Sequence, residues 1–98
     1  MNQPDAQIRH DESRHCYVLE VNGRDLGLAR YHDEGERRVF THTEIDDSLA
    51  GQGMGGRLAR AALDDARRHG KRIMPVCEFI AAYVNKHSEW NDILDPPA

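Results

Sequence analysis

The sequence predicts an α+β domain: a mixed, mostly antiparallel sheet built first, with helices following. Three observations carry this. The first half alternates apolar and polar residues with period two and is broken by hairpin signals. From Gly55 onward the apolar residues recur at helical spacing. Between the halves lie four glycines within six residues, Gly51-Gln52-Gly53-Met54-Gly55-Gly56. The 98 residues suffice for one small domain. The whole chain, 1–98, is therefore read as a single domain with its core at about residues 8–94.

Each element has its own signal. Ile8 marks a short first strand near Gln7–His10. Cys16–Val21 is a β-rich run with Tyr17, Leu19 and Val21 on one face. Asn22-Gly23 is the strongest short hairpin signal, and Leu26–Tyr31 returns as the third strand. Asp33-Glu34-Gly35 turns the chain again into Arg37–Ile45, with Val39, Phe40, Thr41 and Thr43 apolar or β-branched. Leu58, Ala62, Leu63 and Ala66 form the apolar stripe of a helix from Gly55 to His69, and Gly70 stands where a helix-terminating glycine belongs. Ile73–Cys77 is a short strand. Glu78–Lys86 reads as a second helix with Phe79, Ala82 and Tyr83 as its apolar face, and Ser88–Leu94 adds a turn or two. The order is β-β-β-β-α-β-α, and the single βαβ crossover makes strands four and five parallel neighbours.

Composition bounds the function. Hydrophobic content of 39% and charged content of 31% describe an ordinary globular domain. No apolar run approaches the roughly 20 residues needed to span a bilayer. The start lacks the basic and apolar regions of a signal peptide, so a cytoplasmic protein without a membrane partner is expected. Cys16 and Cys77 are too few and too far apart for a disulfide framework or a zinc site, and no metal is expected. The net charge of −4 is uneven. Residues 1–49 hold eleven acids against six bases, and residues 50–98 hold six against seven. The glycine-bearing half thus suits a phosphate, and the acidic half suits a cationic substrate. With no concentrated basic stripe, nucleic acid is not an expected partner.

A glycine-rich turn opening a helix is a site for phosphate, because the first helical N–H groups lack intrahelical partners and the helix dipole is positive there. Gly51-x-Gly53-x-x-Gly56 literally matches the dinucleotide fingerprint. That fingerprint, however, follows the first strand of a sheet of several βαβ units, and here it follows four antiparallel strands. Gly56-Arg57-Leu58 does not complete a P-loop. His42-Thr43-Glu44 with Pro75-Val76-Cys77 echoes a zinc deaminase, but the second nearby cysteine is missing. What remains is a phosphate loop between the fourth strand of a meander and a long helix.

That arrangement resembles the GNAT superfamily of acyl-CoA-dependent N-acetyltransferases, whose pyrophosphate loop reads Arg/Gln-x-x-Gly-x-Gly/Ala. Ala50-Gly51-Gln52-Gly53-Met54-Gly55 fits from its fourth position, with Ala50 in place of Arg or Gln. Thr41-His42-Thr43-Glu44-Ile45, Met74-Pro75-Val76-Cys77 and Tyr83-Val84-Asn85-Lys86-His87-Ser88-Glu89-Trp90 extend the likeness over roughly Ile8 to Leu94. Together they resemble the small single-domain branch that lacks the N-terminal helices of larger members.

The resemblance implies acetyl-CoA as cosubstrate, an unidentified amine as acceptor and a monomeric enzyme. It implies that Thr43, Glu44 and Ile45 line the pantetheine arm. N–H groups from Gln52 through Met54 and Gly55 to Gly56, with Gly51 shaping the turn, would hold the pyrophosphate. Cys77 would stand near the thioester, and Lys86 or His87 would reach phosphate or adenine. Tyr83 is the implied acid for the departing thiolate; the alternative is a core aromatic. Cys77, at a strand end just before a helix, is an acyl-accepting nucleophile, a thiolate stabiliser or a small hydrophobe lining the cleft. Glu44 and His42, two apart on a strand, share a face and are candidate bases; His42 is also read as a hydrogen-bonded structural histidine. His10, His15, His32 and His69 are read as solvent-facing. Without N-terminal helices the acceptor site is open, which suits a protein lysine or N-terminus. The alternative function is a non-catalytic acyl-CoA binding or sensing module, which needs neither Cys77 nor Tyr83.

Overall fold

The computed structural model describes residues 5–95. Five strands form one sheet in sequence order: β1 (Ala6–Asp11), β2 (Cys16–Val21), β3 (Arg24–Glu34), β4 (Arg37–Ile45) and β5 (Arg72–Pro75). The first four pair antiparallel, and β5 joins β4 in parallel. The crossover is α1 (Met54–Arg68); α2 (Glu78–Lys86) and a 3₁₀ segment (Ser88–Ile93) follow β5. The fold class and element order are those expected from the sequence.

Local chemistry explains the connections. Asn22 and Gly23 both take positive φ, 51° and 81°, as a mirror-image hairpin turn requires. After α1, Gly70 N–H donates to the Arg67 carbonyl and Lys71 N–H to that of Ala66, the paired bonds of a Schellman stop, with Gly70 at φ 70°. β3 runs longer than the expected Leu26–Tyr31, because its end keeps pairing with β4 down to Glu34 and Arg37, whereas β5 stops at Pro75, short of the expected Cys77.

One face of the sheet carries Tyr17, Leu19, Val21, Ala29, Tyr31, Phe40 and Ile73. Leu58, Ala59, Ala62, Leu63 and Ala66 of α1 bury into it. Ile80 and Val84 of α2 and Trp90 complete the core. This corrects the expected face of α2: Phe79 and Ala82 are exposed, and Ile80 and Val84 face inward.

Under the C-terminal half of α1 the core is polar and fully partnered. Arg38, 4% exposed, grips Asp33 through Nε and Nη2 at 2.8 and 3.0 Å and donates to the Tyr17 hydroxyl at 2.6 Å. Tyr17 donates onward to Asp65 at 2.7 Å. The Arg38 hydrogen bonds hold the Asp33 carboxyl below its ordinary range. Burial pushes the Tyr17 hydroxyl far up, and the hydrogen bond to Asp65 adds to this. His10 stacks on Tyr17 with centroids 4.4 Å apart, hydrogen-bonds Tyr31 and lies 3.2 Å from Asp65. Burial lowers its pKa. His10 is thus a packed residue, against the solvent-facing expectation, whereas His15, His32 and His69 are exposed.

Candidate active site

β4 and β5 pair only over Arg37–Phe40 against Arg72–Pro75. Past that point the N–H groups of Val76 and Cys77 both donate to the Phe40 carbonyl, at 3.0 and 2.9 Å. One acceptor taking two successive donors marks where the chain leaves the ladder. From Thr41 to Ile45 β4 therefore runs on without β5 beside it, and the notch this leaves in the sheet, the cleft, is bridged by Thr43 and Cys77.

Thr41 is an extra residue in β4: Tyr31 pairs with Phe40 and Arg30 with His42. This bulge resets which face each later residue occupies. Thr43 turns toward α2, with Oγ1 3.3 Å from Cys77 Sγ, and Ile45 packs against the core. His42 and Glu44 share the opposite face, as the two-residue spacing required, and pair at 2.7 Å, both exposed. The side chain of Glu44 therefore does not line the cleft with Thr43 and Ile45. It borders a cavity of about 230 Å³ whose wall includes Val18, Leu28, Asp25 and Asp46.

The loop from β4 to α1 is stitched internally. Asp46 caps a 3₁₀ turn by accepting from Ser48 N–H at 2.9 Å. Gln52 ties the loop back twice, through its N–H to the Leu49 carbonyl and its side-chain amide to that of Ser48, each at 3.2 Å. This corrects the expected role of Gln52: its N–H is committed within the loop and its contribution is to hold the turn. Gly51 and Gly53 take φ of 78° and 73°, where a side chain is strained. Gly53 caps α1 without a side-chain acceptor, and no acidic residue stands in the first turn. The N–H groups of Gly53, Met54, Gly55 and Gly56 have no protein acceptor among the described residues. Gly55 serves a different purpose from Gly53: it lies within the helix, and a Cβ there would fall 2.7 Å from Phe79 Cζ.

Cys77 is half-buried and caps α2, its Sγ accepting from Ile80 N–H at 3.5 Å. The N-termini of α1 and α2 thus converge at the cleft, with the Phe79 ring between them. Tyr83 is half-buried and stacks on His87 at 4.2 Å, with Trp90 at 5.7 Å; the position a Cβ would take on Gly56 lies 3.6 Å from its ring. His87 is half-buried against Tyr83, while Lys86 is exposed on the last turn of α2. Phe79 reads as core from its spacing on α2, and it stands instead exposed beside Gly55, two residues past Cys77. Among the described residues no group of His, Cys, Asp and Glu could hold a metal, and no helix is long and apolar enough to cross a membrane.

Comparison with known proteins speaks to the family and the fold. Residues 16–93 match the family described as GCN5-related N-acetyl-transferase. The chain is 32% identical over 83 residues to Protein NATD1 of Gallus gallus, covering 83% of this chain and 76% of that one. It is 31% identical over 83 residues to Protein NATD1 of Homo sapiens, covering 83% and 74%. A GCN5-like protein from Staphylococcus aureus, solved by NMR, superposes with a TM-score of 0.72 at 22% identity, covering 94% of this chain and 90% of that one. This last likeness speaks to the fold.

Proposed function

The chain belongs to the GCN5-related N-acetyltransferase family, and we propose that it is an acetyl-CoA-dependent N-acetyltransferase acting on an exposed amine, such as a protein lysine or chain N-terminus. The observation that carries this is the row of free N–H groups from Gly53 to Gly56, opening beside the stretch of β4 that β5 has left. Oriented backbone donors at a helix N-terminus bind an anion, here the pyrophosphate. The cleft between Thr43–Ile45 and Cys77 is of a kind to take the pantetheine arm, and Lys86 or His87 is read as a contact for phosphate or adenine.

Transfer needs a neutral amine and a polarised thioester carbonyl. The amine nitrogen attacks the carbonyl carbon, the C–N bond forms, the C–S bond breaks and the released thiolate takes a proton. We read the amine as entering from the face that bears Glu44, with Asp46 nearby to attract a cation; Asp25 on the same wall is already paired with Arg9. Glu44 is the proposed base. Tyr83 is the proposed acid, and Cys77 stands near the acetyl group as nucleophile or thiolate stabiliser. The protein is proposed to act as a cytoplasmic monomer of one domain, without nucleic acid or membrane partners.

A second reading has an observation in its favour. Cys77 Sγ is engaged by both Thr43 and the α2 amide, and Tyr83 is stacked on His87. Both are what a non-catalytic acyl-CoA binding module would also show. Calorimetric titration of acetyl-CoA and CoA, with Gly53→Glu alongside, tests the shared premise. Micromolar binding lost in the variant is expected, and an inert wild-type protein would sink the reading. Cys77→Ser and Tyr83→Phe then divide the two functions: an enzyme loses turnover and keeps binding.

A further inference from the structure

The ring of Phe79 stands between the two ends of the ligand proposed above. Its tip rests on Gly55 in the first turn of α1, where a Cβ would lie 2.7 Å from Cζ. Two residues earlier on the same turn, Cys77 meets Thr43 at 3.3 Å across the cleft. A ligand with its phosphates on the amides of Gly53–Gly56 and its thioester at Thr43 and Cys77 must run its organic arm past this ring. Phe79 also has surface to give: it is 40% exposed, and only it and Val76 are large apolar residues left exposed among the described residues. It spends none of that surface on the core, which α2 meets through Ile80 and Val84.

We propose that Phe79 is a specificity-determining residue that recognises the arm of the cosubstrate and so favours a nucleotide carrying that arm over the nucleotide alone. The inference rests on the acyl-CoA reading above. Covering the exposed ring with the arm removes apolar surface from water, a gain that an armless nucleotide cannot make. Gly55 is the complement: a larger residue there would push the ring off the path between the α1 amides and Cys77.

The test is calorimetric titration of two ligands, coenzyme A and its phospho-ADP portion without the pantetheine arm, into wild type, Phe79→Ala and Phe79→Leu. Circular dichroism melts confirm that each variant is folded, which an exposed position favours. Phe79→Ala is expected to weaken coenzyme A about tenfold and to leave the phospho-ADP affinity unchanged, with Phe79→Leu recovering most of the loss. Equal weakening of both ligands would overturn the proposal, because the ring would then only be ordering the glycine turn. No weakening of either would overturn it too. If wild type binds neither ligand, the acyl-CoA reading fails and this inference falls with it, an outcome separate from the other two.

Discussion

The two ends of α1 are built on opposite plans. At its C-terminal half, Asp65 meets Tyr17, His10 and Arg38, and Arg38 in turn is clamped by Asp33; among the described residues no buried side-chain polar atom is left without a partner. At its N-terminus four successive N–H groups go without a protein acceptor, the cap is a bare glycine, and an aromatic ring is left exposed beside it. Both ends lie over the same sheet face, so burial alone does not separate them. The difference is whether the chain supplies the partner. Where it does, the polar groups hold the fold together; where it does not, they are open to water or, on the reading proposed above, to the pyrophosphate. In a fold this small, unpaired donors are a stronger sign of a site than any single reactive side chain.

The largest effect should come from breaking the saturated end. Arg38→Met removes the cation that holds Asp33 and the Tyr17 hydroxyl and leaves Asp65 without one of its buried partners. A loss of about 3 kcal/mol in urea unfolding is expected, since removing one member of a buried charged network strands the others. At the open end, Gly53→Ala meets no atom within 4 Å, so its cost is the left-handed backbone alone, about 1 kcal/mol. The same variant should lower acetyl-CoA affinity measurably by disturbing the amide row, whereas Arg38→Met, held below its melting temperature, should bind like wild type. If Gly53→Ala proved the more destabilising of the two, the division between a structural end and a binding end would be wrong.

The open end was far more legible in the sequence than the closed one, for a physical reason. A glycine turn before an amphipathic run is a local pattern, and the hairpin at Asn22-Gly23 and the stop at Gly70 are local too. The Arg38 network joins Tyr17 to Arg38 across 21 positions and Tyr17 to Asp65 across 48, and no period along the chain encodes such meetings. Hence His10 was misread. The bulge at Thr41 separates Glu44 from the Phe40 face, so the two-residue spacing fixed that His42 and Glu44 share a face but not which face it is. On α2 the apolar residues Phe79, Ile80, Ala82, Tyr83 and Val84 spread over somewhat more than half the circumference, so the sequence did not choose between two buried faces. Packing against Trp90 and the sheet chose Ile80 and Val84.

The smallest expected effect sharpens the comparison by asking whether the closed end senses protons. Burial lowers the His10 pKa from its ordinary 6.5. Asp65 and Glu12 pull the other way, and Arg38 and His69 reinforce the lowering. The unfolded chain therefore takes up a proton near pH 6.5 while the folded protein still resists it. Above that pH both states hold neutral His10 and it contributes nothing to the slope. As pH falls from about 6.5 toward the lowered folded value, the unfolded state binds more protons and stability declines. A melting temperature followed between about pH 7 and pH 5 should show a shallow drop that His10→Gln removes. The decline due to Asp33 and Asp65 comes separately and lower, because their carboxyls are held below the ordinary 3.8. The amides at Gly53–Gly56 do not titrate, so binding of a ligand that does not itself change protonation in this range should stay level while the melting temperature falls. A parallel fall in affinity, abolished by the same His10→Gln change, would show that the two ends of α1 are coupled and that the saturated end does more than hold the fold.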